Sequence, residues 1–378
     1  MSAAAATFWV ALAFVAYAYA GYPLLLAALA RLSGRPVDKR AITPPLTVII
    51  TAYNEEARLA AKLDNTLALD YPPGQLQIIV ASDCSSDATD DIVRGWAGRG
   101  VELVRSPERR GKEHAQKLAL EHARGEVVVF TDAAAVLDPQ VLRQLAANFA
   151  DASVGCVSTE DRVLQEGGSV AGESFYVRYE MLLRRLETRL RSVVGLSGSC
   201  FAARREVCRE FSETLPSDFN TLLGAVRAGL RGVSDPEAIC YYRSVSGERE
   251  FQRKVRTIVR GLTGLFANAD LLNPLRYGLF SLELASHKLC RWSVPFALCA
   301  ALAANAWLAM ASHFYAALLV LQLAFYVLAL LGARSRKLAR QVAVKVPLFF
   351  VTVNTSIFLA WVKFLRGERI VAWQPSQR

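Results

Sequence analysis

Hydrophobic positions along the chain fall into two kinds of run. Four are short: PLTVII (45–50), LQIIVAS (76–82), VELV (101–104) and EVVVF (126–130), nearly continuous, rich in β-branched residues and bounded by polar clusters. Strands covered on both faces look like this, because neither side alternates toward water. Between them, NEEARLAAKLDNTLAL, ATDDIVRGWAG and KEHAQKLALEHAR carry apolar residues at spacings of three and four with charges opposite, which predicts amphipathic helices. Strands and helices in alternation predict an α/β domain over about 41–250, a doubly wound parallel sheet with helices on both faces. Ligands of such sheets bind at the carboxyl ends of the strands.

The second kind of run is long. TFWVALAFVAYAYAGYPLLLAALA (7–30) has no charge, and three further runs lie near 291–311, 314–332 and 346–362. A membrane span needs about 20 apolar residues. The first run has no basic residue before it and is too long for a signal-peptide core, so it is expected to be an anchor, placed at 1–32. Arg31, Arg35, Lys39 and Arg40 follow at once, and the positive-inside rule then puts the N-terminus outside and the α/β domain in the cytoplasm. The C-terminal spans are expected at 291–365, with a basic tail at 366–378. Asn354, Thr355 and Ser356 make the last segment a candidate for a re-entrant or interfacial piece.

Composition agrees. Of the 378 residues, 53% are hydrophobic, high for a soluble protein. Seven cysteines without a CxxC pair fit a reducing compartment better than a disulfide framework. The net charge of +10 is no sign of nucleic acid. Basic residues cluster at the membrane borders, with no nucleic-acid-binding motif, so anionic inner-leaflet lipid is the expected acidic partner. The basic helix EREFQRKVRTIVRG opens an expected interfacial region at 251–290. His114, His122, His287 and His313 have no metal-ligand spacing, and Glu180/Arg184 and Glu187/Arg191 read as pairs on an exposed helix.

Three strand ends deliver acids to one edge. TAYNEEARL carries Glu55 and Glu56, ASDCSSDATD carries Asp83, and EVVVFTDAAAVLD carries Asp132. Helix capping accounts for Glu55 and Glu56 as readily as binding does, and Ser86 or Asp87 can cap the next helix. Capping does not require Asp83 or Asp132.

Taken together, VIITAYNEEARL, DYPPGQLQIIVASDCSSDATDDIV, RRGKEHAQKLALEHARGEVVVFTDA, GLSGSCFAARREV, LPSDFNTLL, SDPEAICYYRSVSGEREFQRKVRTIVRG and SHKLCRWSVPF resemble, in order and over most of the chain, the membrane-anchored inverting family 2 glycosyltransferases. That resemblance implies a GT-A fold, a nucleotide-sugar donor, with UDP the expected nucleotide, and a lipid-linked or glycan acceptor. It also implies Mg2+ or Mn2+ as cofactor. By the same resemblance Tyr53, Glu55, Asp83 and Lys112 would contact the nucleotide, Asp132 the metal, and Gly198 and Ser199 the acceptor side, with Asp218 as catalytic base. Arg253 and Arg256 fall where processive members carry QxxRW; the arginine at the fourth place is kept, the glutamine and tryptophan are not. These two could clamp the diphosphate or only line a basic helix. Asp218 reads equally as a helix N-cap.

Asp132 is followed by three alanines where the family's metal motif has a second acid. Asp138, before Pro139, reads as a helix cap. Mg2+ is often held by one or two carboxylates plus phosphates and water, so Asp132 is expected to be the principal ligand, with weak metal binding before the donor arrives and Glu160 or Asp161 as the next acids to consider. The alternatives are a processive synthase, or a scaffold of a polysaccharide-assembly complex whose transferase has decayed.

Overall fold

The computed structural model describes residues 2–164, 175–243, 248–339 and 341–368. The expected basic tail therefore lies mostly outside the described residues, as does the stretch 244–247. The chain divides into two compact units.

The larger unit, Leu26–Val245 with Thr263–Glu283, is built on one sheet. Its strands are β1 (Leu46–Ala52), β2 (Leu76–Ser82), β3 (Val101–Arg105), β4 (Val127–Asp132), β5 (Val136–Leu137), β6 (Val154–Leu164), β7 (Cys200–Arg204) and β8 (Arg231–Arg243), in the spatial order β3-β2-β1-β4-β7-β6-β8-β5. The first four are parallel and coincide with the four short apolar runs. The sheet is not parallel throughout, because β7 pairs antiparallel with both β4 and β6. β1 alternates its fully buried side chains between two cores, Val48 and Ile50 on one face, Ile49 on the other. Phe130 stacks on Phe201 at 4.8 Å and on Phe211 at 5.6 Å. Each such side chain contributes roughly 1.5–3 kcal/mol by leaving water, which fixes the register.

Register is what builds the site. Ala52 sits opposite Ser82, and Thr51 opposite Asp132, so the chain leaves β1, β2 and β4 at one edge of the sheet. β7 brings a fourth element there, with Thr131 opposite Cys200 and the Asp132 N–H donating to the Ser199 carbonyl at 3.1 Å.

Helix Phe175–Leu190 does not carry the exposed pairs its spacing predicts. Glu187 is fully buried, and Arg184 donates to Ser158 Oγ at 3.0 Å; one face of this helix packs on β6 and β8, which sequence spacing cannot reveal. Asp138 accepts from the N–H of Gln140 at 3.0 Å, and the helix begins only at Val141.

The smaller unit, Met1–Leu25 with Ser246–Leu262 and Leu284–Arg369, is helical. Among the described residues, four helices are long and apolar enough to cross a membrane: Ala3–Ser33, Leu279–Ala309, His313–Arg334 and Val342–Leu365. The second begins at Leu279 rather than near 291. The last is unbroken despite its polar residues, since Asn354 donates to Tyr19 Oη at 3.3 Å and to the Phe350 carbonyl at 2.9 Å, and Ser356 donates to the Val353 carbonyl at 2.7 Å. With these donors satisfied, the backbone has no reason to open to supply acceptors.

Candidate active site

Two loops form the rim at the ends of β1 and β2, and each caps the other's helix. The N–H of Asn54 donates to Ser85 Oγ at 3.2 Å, Ser86 N–H to Asn54 Oδ1 at 2.9 Å, Glu55 N–H to Thr89 Oγ1 at 2.8 Å, Glu56 N–H to Asp87 Oδ2 at 3.1 Å, and Ala88 N–H to Glu56 Oε2 at 3.0 Å. Asn54 and Cys84 adopt positive φ, +52° and +56°, the strained backbone that such sites hold in place with many bonds. Glu56 and Asp87 thus spend their carboxylates on orphan helix N–H groups. Glu55 is buried and pairs with Arg58 at 3.1 Å. Tyr53 offers its ring, over which the Arg109 guanidinium stacks at 3.9 Å.

Asp83 is fully buried, and its carboxylate accepts the N–H groups of Arg110 and Gly111, each at 3.0 Å. It therefore seats the loop that starts helix Lys112–Glu121. Gly111, with φ +104° and ψ 171°, lies in a region essentially restricted to glycine. That backbone sends Lys112 into the sheet edge, where its Nζ contacts Asp132 Oδ1 at 2.5 Å and the Gly198 carbonyl at 3.2 Å. Burial works to lower the Lys112 pKa, but Asp132, Glu113 and Asp218 together hold it above the ordinary lysine value.

The turn before β7 carries Gly198 and Ser199. Ser197 pins it, accepting the Ser199 N–H at 3.1 Å and donating to Asp161 at 2.7 Å. A Cβ on Gly198 would lie 3.6 Å from Asp218 Oδ2. Asp218 stands in the first turn of helix Ser217–Arg227, whose N-cap is Pro216 with no side-chain bond, so its carboxylate does not cap the helix. Lys112, Asp132, Gly198, Ser199 and Asp218 thus come together in one unit. Arg253 and Arg256 belong to the other unit, on helix Glu248–Ala267. There Arg253 makes a two-pronged pair with Glu250, both bonds 2.8 Å, and burial, then Arg260 and Arg253, hold Arg256 below its ordinary pKa.

Among the described residues no three His, Cys, Asp or Glu side chains cluster as a metal set. Asp132 stands alone at the strand end, already ion-paired. Of the two further acids, Glu160 is shared by Arg162 at 3.5 Å and Arg185 at 3.3 Å. Asp161 is half-buried; desolvation raises its pKa, as does repulsion from Asp132, while Ser197 and Arg184 oppose the rise. The residues fit a cation that comes with phosphate ligands of its own, not one caged by protein.

Two contributors escaped the sequence reading. Lys62 is buried behind the Asp132 turn, donating to Thr131 Oγ1 at 3.0 Å and the Ala135 carbonyl at 2.7 Å, and burial lowers its pKa. Its signal was available, since it falls between Leu59 and Leu63 on the helix's apolar stripe. Glu213 accepts from Lys117 at 2.7 Å, His114 at 2.9 Å and Arg110 at 3.1 Å. Nothing local marks it.

Residues 47–211 match the model of Glycosyl transferase family 2. A dolichyl-phosphate β-glucosyltransferase of Drosophila melanogaster is 35% identical over 148 residues, 35% of this chain and 44% of that protein. An N-acetylglucosaminyltransferase of Rhizobium meliloti is 27% identical over 227 residues, 55% and 53% of the two chains. The chain spans about half the length of these curated relatives. Among solved structures, the mannosyltransferase PcManGT of Pyrobaculum calidifontis, in complex with GDP-Man and Mn2+, is 28% identical and superposes with a TM-score of 0.74 over 96% of this chain and 99% of its own. The strand-end acids, the mixed sheet and these likenesses agree that the chain carries a glycosyl transferase family 2 domain with the GT-A fold.

Proposed function

We propose that the protein is a membrane-anchored inverting glycosyltransferase that moves a sugar from a nucleoside diphosphate to a hydroxyl or phosphate of a lipid-linked or polymeric glycan acceptor. The observation that carries this is the meeting of Asp218 Oδ2 and the Lys112–Asp132 pair at the Gly198 turn. A leaving diphosphate needs positive charge on one side of the anomeric carbon, and an attacking hydroxyl needs a base on the other. Lys112 meets the first need, Asp218 the second. As the acceptor oxygen bonds to the anomeric carbon, the bond to the diphosphate oxygen breaks and the proton passes to Asp218; one displacement inverts the centre. Asp132, with the donor's own phosphates, would hold a divalent ion, which supplies Lewis-acid charge to the leaving group. Asp83, through Gly111, positions Lys112, and Tyr53 offers a face for the base.

The family resemblance favours a uridine nucleotide, whereas the mannosyltransferase relative holds GDP-Man, so the test spans both. The basic residues after the first span favour a cytoplasmic domain at the inner face of a plasma membrane. Purified protein incubated with UDP- and GDP-sugars and Mn2+ or Mg2+ is expected to release nucleoside diphosphate with at least one donor. Asp218→Asn is expected to lower transfer by about 10²–10⁴-fold while leaving donor binding in place. No turnover of any donor, or wild type equal to Asp218→Asn, would return the decayed-scaffold reading; polymer instead of a single addition would favour the processive one.

A further inference from the structure

The arginines at 31–35 and 189–191 take no part in the site above. The N–H of Arg35 donates to the Arg189 carbonyl at 2.6 Å. Buried Arg231 donates to the carbonyls of Arg35 at 2.8 Å and Pro36 at 3.1 Å while pairing with Asp151 at 2.9 Å. These bonds lock the linker after helix Ala3–Ser33 against the end of helix Phe175–Leu190. Two grooves flank this joint. One, of about 350 Å³, is lined by Arg31, Arg185 and Arg189 with Gly34 and Thr188. The other, of about 440 Å³, is lined by Arg35, Arg191 and Arg276 with Ser192 and Tyr277.

Among the described residues, Arg31, Arg35, Arg189 and Arg191 pair with no carboxylate; Arg185 reaches Glu160 at 3.3 Å, and Arg276 lies 5.2 Å over the Tyr277 ring. Beside the arginines stand two leucines facing out, Leu32 at 85% and Leu275 at 96% exposure. Leu32 ends the first candidate span, and Leu275 lies just before the second, Leu279–Ala309. Fully presented leucines beside unpaired guanidiniums are well suited to a bilayer interface, where the charge meets phosphate and the leucine meets acyl chain.

We propose that this face rests on the membrane and that its two grooves bind the headgroup phosphates of anionic phospholipids, with the guanidiniums as charged donors. It is independent of the catalytic reading. The test uses the full chain in mild detergent, offered equimolar phosphatidylglycerol and phosphatidylcholine, with retained lipid counted by native mass spectrometry. Wild type is expected to keep phosphatidylglycerol in preference. The double variants Arg31→Gln/Arg189→Gln and Arg35→Gln/Arg191→Gln are each expected to lose about tenfold or more of that preference, and Arg31→Lys/Arg189→Lys to keep most of it, all with unchanged donor turnover. Equal retention of the two lipids by wild type, or glutamine variants that match it, would overturn the proposal. So would displacement by millimolar inorganic phosphate, which marks a mere anion patch, or replacement by a polyprenyl phosphate, which assigns the grooves to a lipid-linked acceptor. Should a glutamine variant fail to fold, the lipid preference of wild type and of the lysine pair still decides.

Discussion

Lys112 and Asp132 each hold what the other's ligand would take. An arriving metal and diphosphate would draw Asp132 onto the cation and Lys112 onto phosphate, an exchange of one charge-assisted bond for two. Lys112→Met should therefore raise Mn2+ binding to the donor-free protein, seen by electron paramagnetic resonance, while weakening donor binding about tenfold or more, seen by calorimetry. Unchanged Mn2+ binding would show that the ammonium does not guard Asp132. The acids at the strand ends were legible because a buried strand has to end and an acid there is conspicuous. What Asp83 does was not legible. Its bonds go to Arg110 and Gly111, a contact set by the return of the chain from β3. Asp218 could be read as a cap or a base; the observed helix start, one residue earlier at Ser217, removes the cap.

At the scale of elements, the loop 108–112 and the segment before Asp218 are tied by Glu213. Hydrogen bonds from Lys117, then His114, pull its carboxyl from an ordinary 4.5 to about 2. Because the folded pKa is depressed, this tie stabilises the fold above about pH 4.5 and is lost as pH falls toward 2. Thermal unfolding of wild type and Glu213→Gln should accordingly differ at pH 6 and converge by about pH 2. Gly111→Ala is a sharper test of the same region. A β-carbon at φ +104° should cost about 1–3 kcal/mol, and the displaced loop should raise KM for donor more than it lowers kcat. A variant with wild-type melting and KM would mean that the loop's backbone does not set Lys112. Strands β1 to β4 were legible as uninterrupted apolar runs, whereas β6 and β8 were not. Their site ends are polar, and β8 contains Pro236, an ordinary argument against a strand. Thr159 pairs with Asp235 and Glu160 with Ile239, so the proline sits in residues 236–238, which the ladder skips.

On the scale of the whole molecule, four long apolar helices and the basic segment after the first predict a protein that resists alkaline carbonate extraction. In inverted inner-membrane vesicles, protease should cut the 41–250 domain; in intact spheroplasts it should not. Cleavage only from outside would reverse the proposed orientation. The membrane runs were legible because bilayer thickness sets a length that composition alone reveals; the unbroken final helix was not, since it depends on Tyr19 meeting Asn354 from far along the chain. The interlocked caps at the ends of β1 and β2 carry a lesson for engineering. Residues 53–56 and 85–89 supply each other's helix-start partners, so neither is a free module: a chimera that borrows one loop from the Pyrobaculum relative without the other would unseat both helices, and the two have to be transplanted as a matched pair.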